Sequence, residues 1–112
     1  MDKQVIFAFR GDMLCFMHVL LNVLDMDDKG IESRLVFEGE AVKLVKELEV
    51  SGNPLYAKAK AKGLIDCICR ACSSKLGVLD YNKTVGIPMC DEMAGHPSMA
   101  SYTARGYKII TM

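Results

Sequence analysis

Residues 4–37 read QVIFAFRGDMLCFMHVLLNVLDMDDKGIESRLVF. Two apolar runs of strand length, 4–9 and 32–37, flank a longer segment in which the polar residues His18, Asn22, Asp25 and Lys29 recur every three or four positions. That spacing is the period of a helix, so the polar residues form one stripe and the remaining helix surface is apolar and able to cover a sheet. Gly30 stops the helix, because glycine takes up the left-handed conformation that closes a last turn without steric cost. The stretch is a strand-helix-strand unit, and such units pair their strands in parallel through a right-handed crossover.

The alternation continues with apolar runs at 64–69, 85–89 and 107–111. Between them, 40–49 places Ala41, Val42, Val45 and Leu48 on one helical face, and a short helix opens with Asn53 as cap and Pro54 in its first turn and ends at Gly63. Ser73 or Ser74 caps a helix running through Leu76 and Leu79 to Asn82, and Pro97 and Ser98 open a last helix that Gly106 terminates. The pattern predicts an α/β protein, a flavodoxin-like three-layer α/β/α sandwich with a five-stranded, mostly parallel sheet. The 112 residues fall below the roughly 150 of a usual domain, and no repeat, low-complexity tract or linker divides them, so 1–112 reads as one domain.

Hydrophobic residues at 51% and charged residues at 25% are enough to build a core, which excludes global disorder. Fourteen basic and fourteen acidic residues cancel, leaving no field to hold nucleic acid or an anionic membrane. The longest apolar stretch, 13–26, is broken by His18, Asn22 and Asp25 and falls short of the ~20 residues of a bilayer span. Arg10 interrupts the run 5–9, so no secretory leader is recognisable and a cytoplasmic location is expected. In a reducing compartment five cysteines, an odd number, point to free thiols, a metal site or redox chemistry before disulfides.

In such sheets functional groups gather beyond the carboxyl ends of the strands. Arg10-Gly11-Asp12 with Cys15 follows the first strand, the run from Cys67 to Ser74 ends the third, and the run from Cys90 to Ser98 follows the fourth, so the cysteines are expected to cluster at one edge. Cys72 lies where a strand turns into a helix, and free N–H groups there, with Arg70 nearby, predict a thiol titrating below about 8.5. Cys69 completes a Cys-x-x-Cys that sets a resolving thiol beside a nucleophilic one, although either sulfur also reads as a small core hydrophobe. His96, before Pro97, reads either as a helix-start or packing residue or as half of a Cys–His pair with Cys90 that gives a thiol acid–base help, with Asp91 and Glu92 orienting it or simply solvated. His18 sits on the polar stripe of the first helix, facing solvent or a subunit contact.

Cys67 and Cys69, two apart, share a face of a regular strand and read as core packing. An alternative metal set comprises Cys67, Cys69, Cys72, Cys90 and His96, but common zinc sites use two paired knuckles and only one such pair is present, so no stoichiometric metal is expected. The sequence lacks Gly-x-Gly-x-x-Gly, a phosphate-binding Gly-x-x-x-x-Gly-Lys-Ser/Thr loop and Gly-x-Ser-x-Gly, so neither a nucleotide cofactor nor the commonest hydrolase chemistry is expected. Met89, Met93 and Met99 read as core filler or as an adaptable contact surface.

Taken together, QVIFAF, FRGD, FEGE, CRACSSKLG, PMCDEMAGHPS and GYKIIT resemble the DsrE/DsrF-like proteins along essentially the whole chain. The resemblance implies a flavodoxin-like sandwich assembled into trimers or hexamers, and a cysteine that carries sulfur as a persulfide between donor and acceptor proteins. Cys72 in ACSSKLG matches that cysteine, while Cys67, Cys69 and Cys90 are additions to the one-cysteine pattern. The expected function is thus a sulfur carrier or sulfurtransferase-like protein acting through Cys72. The alternatives are a Cys69/Cys72 dithiol oxidoreductase and a metal-binding or structural module.

Overall fold

The computed structural model describes residues 2–112. Five strands, β1 (Lys3–Ala8), β2 (Glu32–Phe37), β3 (Ile65–Cys69), β4 (Met89–Cys90) and β5 (Tyr107–Thr111), form an all-parallel sheet in the order β4-β3-β2-β1-β5. The chain steps from β1 to β4 in one direction and then returns past β1 to lay down β5. Right-handed crossovers therefore put every helix of the outward steps on one face and the single returning helix on the other.

The packing follows that rule. Phe16, Leu20 and Val23 of α1 (Met13–Asp28) bury against Ile6, Leu35, Phe37 and Ile68, in one cluster with Val45 and Leu48 of α2 (Val45–Val50) and Tyr56 of α3 (Pro54–Ala61). On the opposite face Val5, Phe7 and Val36 pack with Tyr107 and with Tyr102 of α6 (Met99–Ala104). Val5, Ile6 and Phe7 alternate between the two clusters, as the period of a strand requires. The expected sandwich is present, with one outer layer reduced to α6. Among the described residues no helix is long and apolar enough to cross a membrane.

Local chemistry sets the boundaries. Asn53 accepts from the Tyr56 N–H at 3.0 Å and Pro54 opens α3, as expected. The 40–49 helix instead begins as a 3-10 segment, Gly39–Leu44, before α2. The helix expected over 73–82 starts three residues earlier, as α4 (Arg70–Lys75), because the Cys69 sulfur caps it by accepting from the Cys72 N–H. Gly77, at φ +74°, then separates it from α5 (Leu79–Asn82). The fourth strand shrinks from 85–89 to Met89–Cys90, since Pro88 has no N–H for a ladder; its carbonyl accepts from Ile68 instead.

A register shift leaves Asp66 as the extra residue of β3, with Leu35 opposite Ile65 and Val36 opposite Cys67. Cys67 packs with Tyr102, whereas Cys69, already the cap of α4, joins the α1 face. The two cysteines therefore do not share a face, because the chain leaves the regular strand at Cys69.

Phe37 stacks on Phe16 at 4.9 Å between centroids and is fully buried beside the site edge. Phe37→Ala is expected to lower unfolding stability by about 3–5 kcal/mol in urea titrations; a loss under about 1 kcal/mol would mean this core collapses around the cavity.

Candidate functional site

Glu38 follows β2 directly. Its side chain is turned back over the sheet edge by Gly39, whose N–H donates to Glu38 Oε1 at 3.1 Å and whose φ of +52° suits glycine. Cys69 ends β3 and Cys72 lies in the first turn of α4. Beyond β4 the loop closes on itself through paired backbone bonds between Met93 and His96, and the Ala71 N–H donates to the Gly95 carbonyl at 2.8 Å. A Cβ at Gly95 would stand 3.0 Å from that of Ala71, so the loop lies against α4 only because this residue is glycine. His96 is thereby delivered over the end of β3.

Four donors meet there. The Cys72 thiol donates to Glu38 Oε1 at 3.0 Å. His96 Nδ1 stands 3.2 Å from Cys69 Sγ, 3.7 Å from Cys72 Sγ and 3.5 Å from Glu38 Oε1. All four ligand atoms lie within 4.8 Å of one another. Glu38 and Cys69 are buried, and Cys72 and His96 are partly exposed. A cavity of about 520 Å³ borders Glu38, Cys72 and His96 and is otherwise walled chiefly by Phe7, Phe9, Met93, Pro97 and Met99.

The electrostatics reverse the expectation for Cys72. Burial, and then its bond to the Glu38 carboxylate, push the Cys72 thiol above its ordinary value, and the same two causes push Cys69 up as well. Burial opposes ionisation of Glu38, yet the hydrogen bonds from Cys69, Cys72, Gly39 and His96 together hold its carboxyl below the usual range. The protons rest on sulfur and the charge on oxygen. The Cys72 N–H, which was to favour a thiolate, is already directed at Cys69 Sγ. Arg70 is exposed, and the leading influences on Cys72 come from Glu38, Cys69 and Gly39.

Of the residues singled out in the sequence, Cys69, Cys72 and His96 come together. Cys67 and Cys90 do not join them: they form a disulfide on the α6 face, with Cα atoms 5.6 Å apart, so both leave the alternative ligand set and the His96 partners are Cys69 and Cys72 rather than Cys90. Free thiols remain at Cys15, Cys69 and Cys72. Cys15 lies apart, beside Asp12 in the first turn of α1, and His18 is exposed on that helix. Glu38 was missed. Its signal was an acidic residue immediately after the strand that pairs with β3.

In chelator-washed protein, Cys72 is expected to alkylate with a midpoint above that of an ordinary thiol. Glu38→Gln should lower the midpoint, since removing a neighbouring negative charge favours the thiolate. Iodoacetamide rates against pH, read at Cys72 by mass spectrometry, check this; an unchanged or higher midpoint in the variant counts against the assigned contact.

No family model matches the sequence. A conserved protein of unknown function from Bacteroides thetaiotaomicron superposes with a TM-score of 0.75 over 99% of this chain and 95% of its own, at 20% identity, which establishes the shared fold. An uncharacterised protein of Archaeoglobus fulgidus is 36% identical over 39 residues, 35% of this chain and 64% of that protein. An uncharacterised protein of Methanocaldococcus jannaschii is 31% identical over 103 residues, 92% of this chain and 84% of that protein. With that identity over most of both sequences, the chain belongs to the family of the Methanocaldococcus jannaschii protein.

Proposed function

We propose that this protein binds a soft divalent cation of the zinc class through Glu38, Cys69, Cys72 and His96. The spacing of the donors carries the reading. Bonds of about 2.3 Å to sulfur and 2.0–2.1 Å to nitrogen or oxygen put the donors of a tetrahedral zinc roughly 3.3–3.8 Å apart. Four of the six separations are 3.0, 3.2, 3.5 and 3.7 Å and all lie within 4.8 Å, so a cation could enter once the donors close by about an ångström or less. The donor chemistry agrees, since two sulfurs with one imidazole and one carboxylate suit zinc better than magnesium or calcium. A dication would also displace both thiol protons and offset the buried Glu38 charge, which has no Lys or Arg ion-pair partner among the described residues.

The expectation of no metal rested on ligand spacing along the chain. Here the donors come from the loops after three neighbouring strands, and only Cys69 and Cys72 form a knuckle.

One observation favours a second reading, the sulfur carrier. Cys72 alone of the two thiols borders the cavity, where a donor persulfide can reach it. In that reading the Cys72 sulfur attacks the outer sulfur of the donor, the donor's sulfur–sulfur bond breaks, and the donor leaves as a thiolate while Glu38 takes the Cys72 proton. The oligomeric assembly implied by the resemblance has a candidate surface on α1, where Leu14 and Leu21 are 73% and 50% exposed on either side of His18.

Metal-free protein titrated with Co²⁺ is expected to take up one equivalent with tetrahedral visible bands and thiolate-to-cobalt charge transfer. Cys69→Ser, Cys72→Ser and His96→Ala should each weaken uptake about 100-fold or more. A pale six-coordinate spectrum without charge transfer would remove the reading. For the carrier, metal-free protein incubated with a polysulfide should gain one sulfur mass on Cys72 that Cys69→Ser retains; collapse to a Cys69–Cys72 disulfide in the parent, with no adduct in the variant, would favour the oxidoreductase alternative.

A further inference from the structure

We propose that the cavity beside the cluster admits a small apolar thiol, which binds the metal through its sulfur in place of Glu38. This inference rests on the metal reading and adds the ligand class. Three of the four donors, Glu38, Cys72 and His96, border the cavity, while Cys69 lies behind them, fully buried, with its sulfur against the Cys72 N–H and the Gly95 carbonyl. A molecule entering the cavity therefore meets the metal on the face formed by those three donors.

Glu38 is the donor that can leave. It is the one hard oxygen in a set otherwise built of sulfur and imidazole, and a soft metal holds it least firmly once a second soft anion is offered. Once released, its carboxyl group keeps one partner, because Oε1 accepts from the Gly39 N–H at 3.1 Å. The exchange balances without an outside reagent. The thiol's S–H bond breaks, a sulfur–metal bond forms, the metal–oxygen bond of Glu38 breaks, and the thiol's proton passes to the Glu38 carboxylate. Charge at the site is unchanged and nothing is oxidised or reduced.

The walls choose the rest of the molecule. Phe9, Met93, Pro97 and Met99 present carbon and sulfur, and among the described residues no Lys or Arg lines the space, so phosphate, sugar-phosphate and carboxylate-bearing bodies find no cationic side chain in the walls. Phe9 and Met93 are 37% and 53% exposed, apolar surface that an apolar ligand would take out of water. At about 520 Å³ the cavity falls within the roughly 300–1,000 Å³ of small-molecule sites.

The test uses the full chain loaded with cobalt and three probes: benzyl mercaptan, 2-mercaptoethanol and phenylacetate. Benzyl mercaptan is expected to add thiolate-to-cobalt charge-transfer intensity, saturating at one equivalent and at a concentration about ten-fold or more below 2-mercaptoethanol. Phenylacetate should leave that band unchanged. Met93→Glu, assayed on fully cobalt-loaded protein, should weaken the benzyl mercaptan response about ten-fold, since it sets a charge in an apolar wall. The arms are compared at the same oxidation state of the Cys67–Cys90 bond, checked by mass spectrometry, because either monothiol can reduce it. Cobalt that binds with its two-thiolate spectrum but does not respond to benzyl mercaptan, responds equally to both thiols, or is stripped from the protein would overturn this inference and leave the metal reading standing. Failure to bind cobalt at all would overturn both.

Discussion

Parallel pairing at the carboxyl ends of β2, β3 and β4 is the constraint on which the site depends. Phe37 stands opposite Ile68, Ile68 opposite Met89 and Cys69 opposite Cys90. In a parallel sheet all strands end on the same side, so this register sets the loops after β2, β3 and β4 in a row at one edge. That row brings Glu38, Cys69 and the loop carrying His96 to neighbouring positions. Were β2 shifted by one residue against β3, Glu38 would turn toward the opposite face and the carboxylate would leave the cluster.

The fold then creates a charge problem that it does not solve by itself. Glu38 is 6% exposed, with His96 Nδ1 3.5 Å from its Oε1 and the Cys72 thiol donating to it. Buried carboxylates are ordinarily matched by arginine, lysine or several N–H groups. Gly39 supplies one N–H, and Arg70 stays on the surface. Hydrogen bonding to sulfur keeps the carboxylate ionised but leaves both thiols reluctant to lose protons. A nucleophilic thiol at neutral pH therefore needs a change at this site, either a cation or a substrate that draws the Cys72 proton to Glu38 as the sulfur attacks.

Much of this was legible in residues 4–37 and in the Asn53-Pro54 and Gly30 signals, because strand and helix periods and caps are local properties. The edge position of Cys69, Cys72 and His96 was legible too, since it follows from strand ends. Glu38 was not, because its neighbourhood depends on which strands pair, and pairing is not written in the local pattern. The same omission inverted the expected acidity of Cys72: a helix start beside Arg70 argues for a thiolate until a carboxylate 3.0 Å away is known. Cys67 was read as sharing a core face with Cys69 because a bulge at Asp66 and the departure of the chain at Cys69 cannot be seen in a spacing of two.

The Cys67–Cys90 bond has a consequence across the sheet. β4 is two residues long and holds its place by two pairings with β3, an Ile68–Pro88 backbone bond and this disulfide. Two pairings at an edge are little to fix a strand, particularly one preceded by a proline. Cys90 is also the last residue before the loop that presents His96, and it sits opposite Cys69, itself a member of the cluster. A covalent link on the α6 face therefore steadies the spacing between Cys69 and His96 at the sheet edge. The cysteines that left the site still shape it, by fixing the edge strand from which the imidazole is hung.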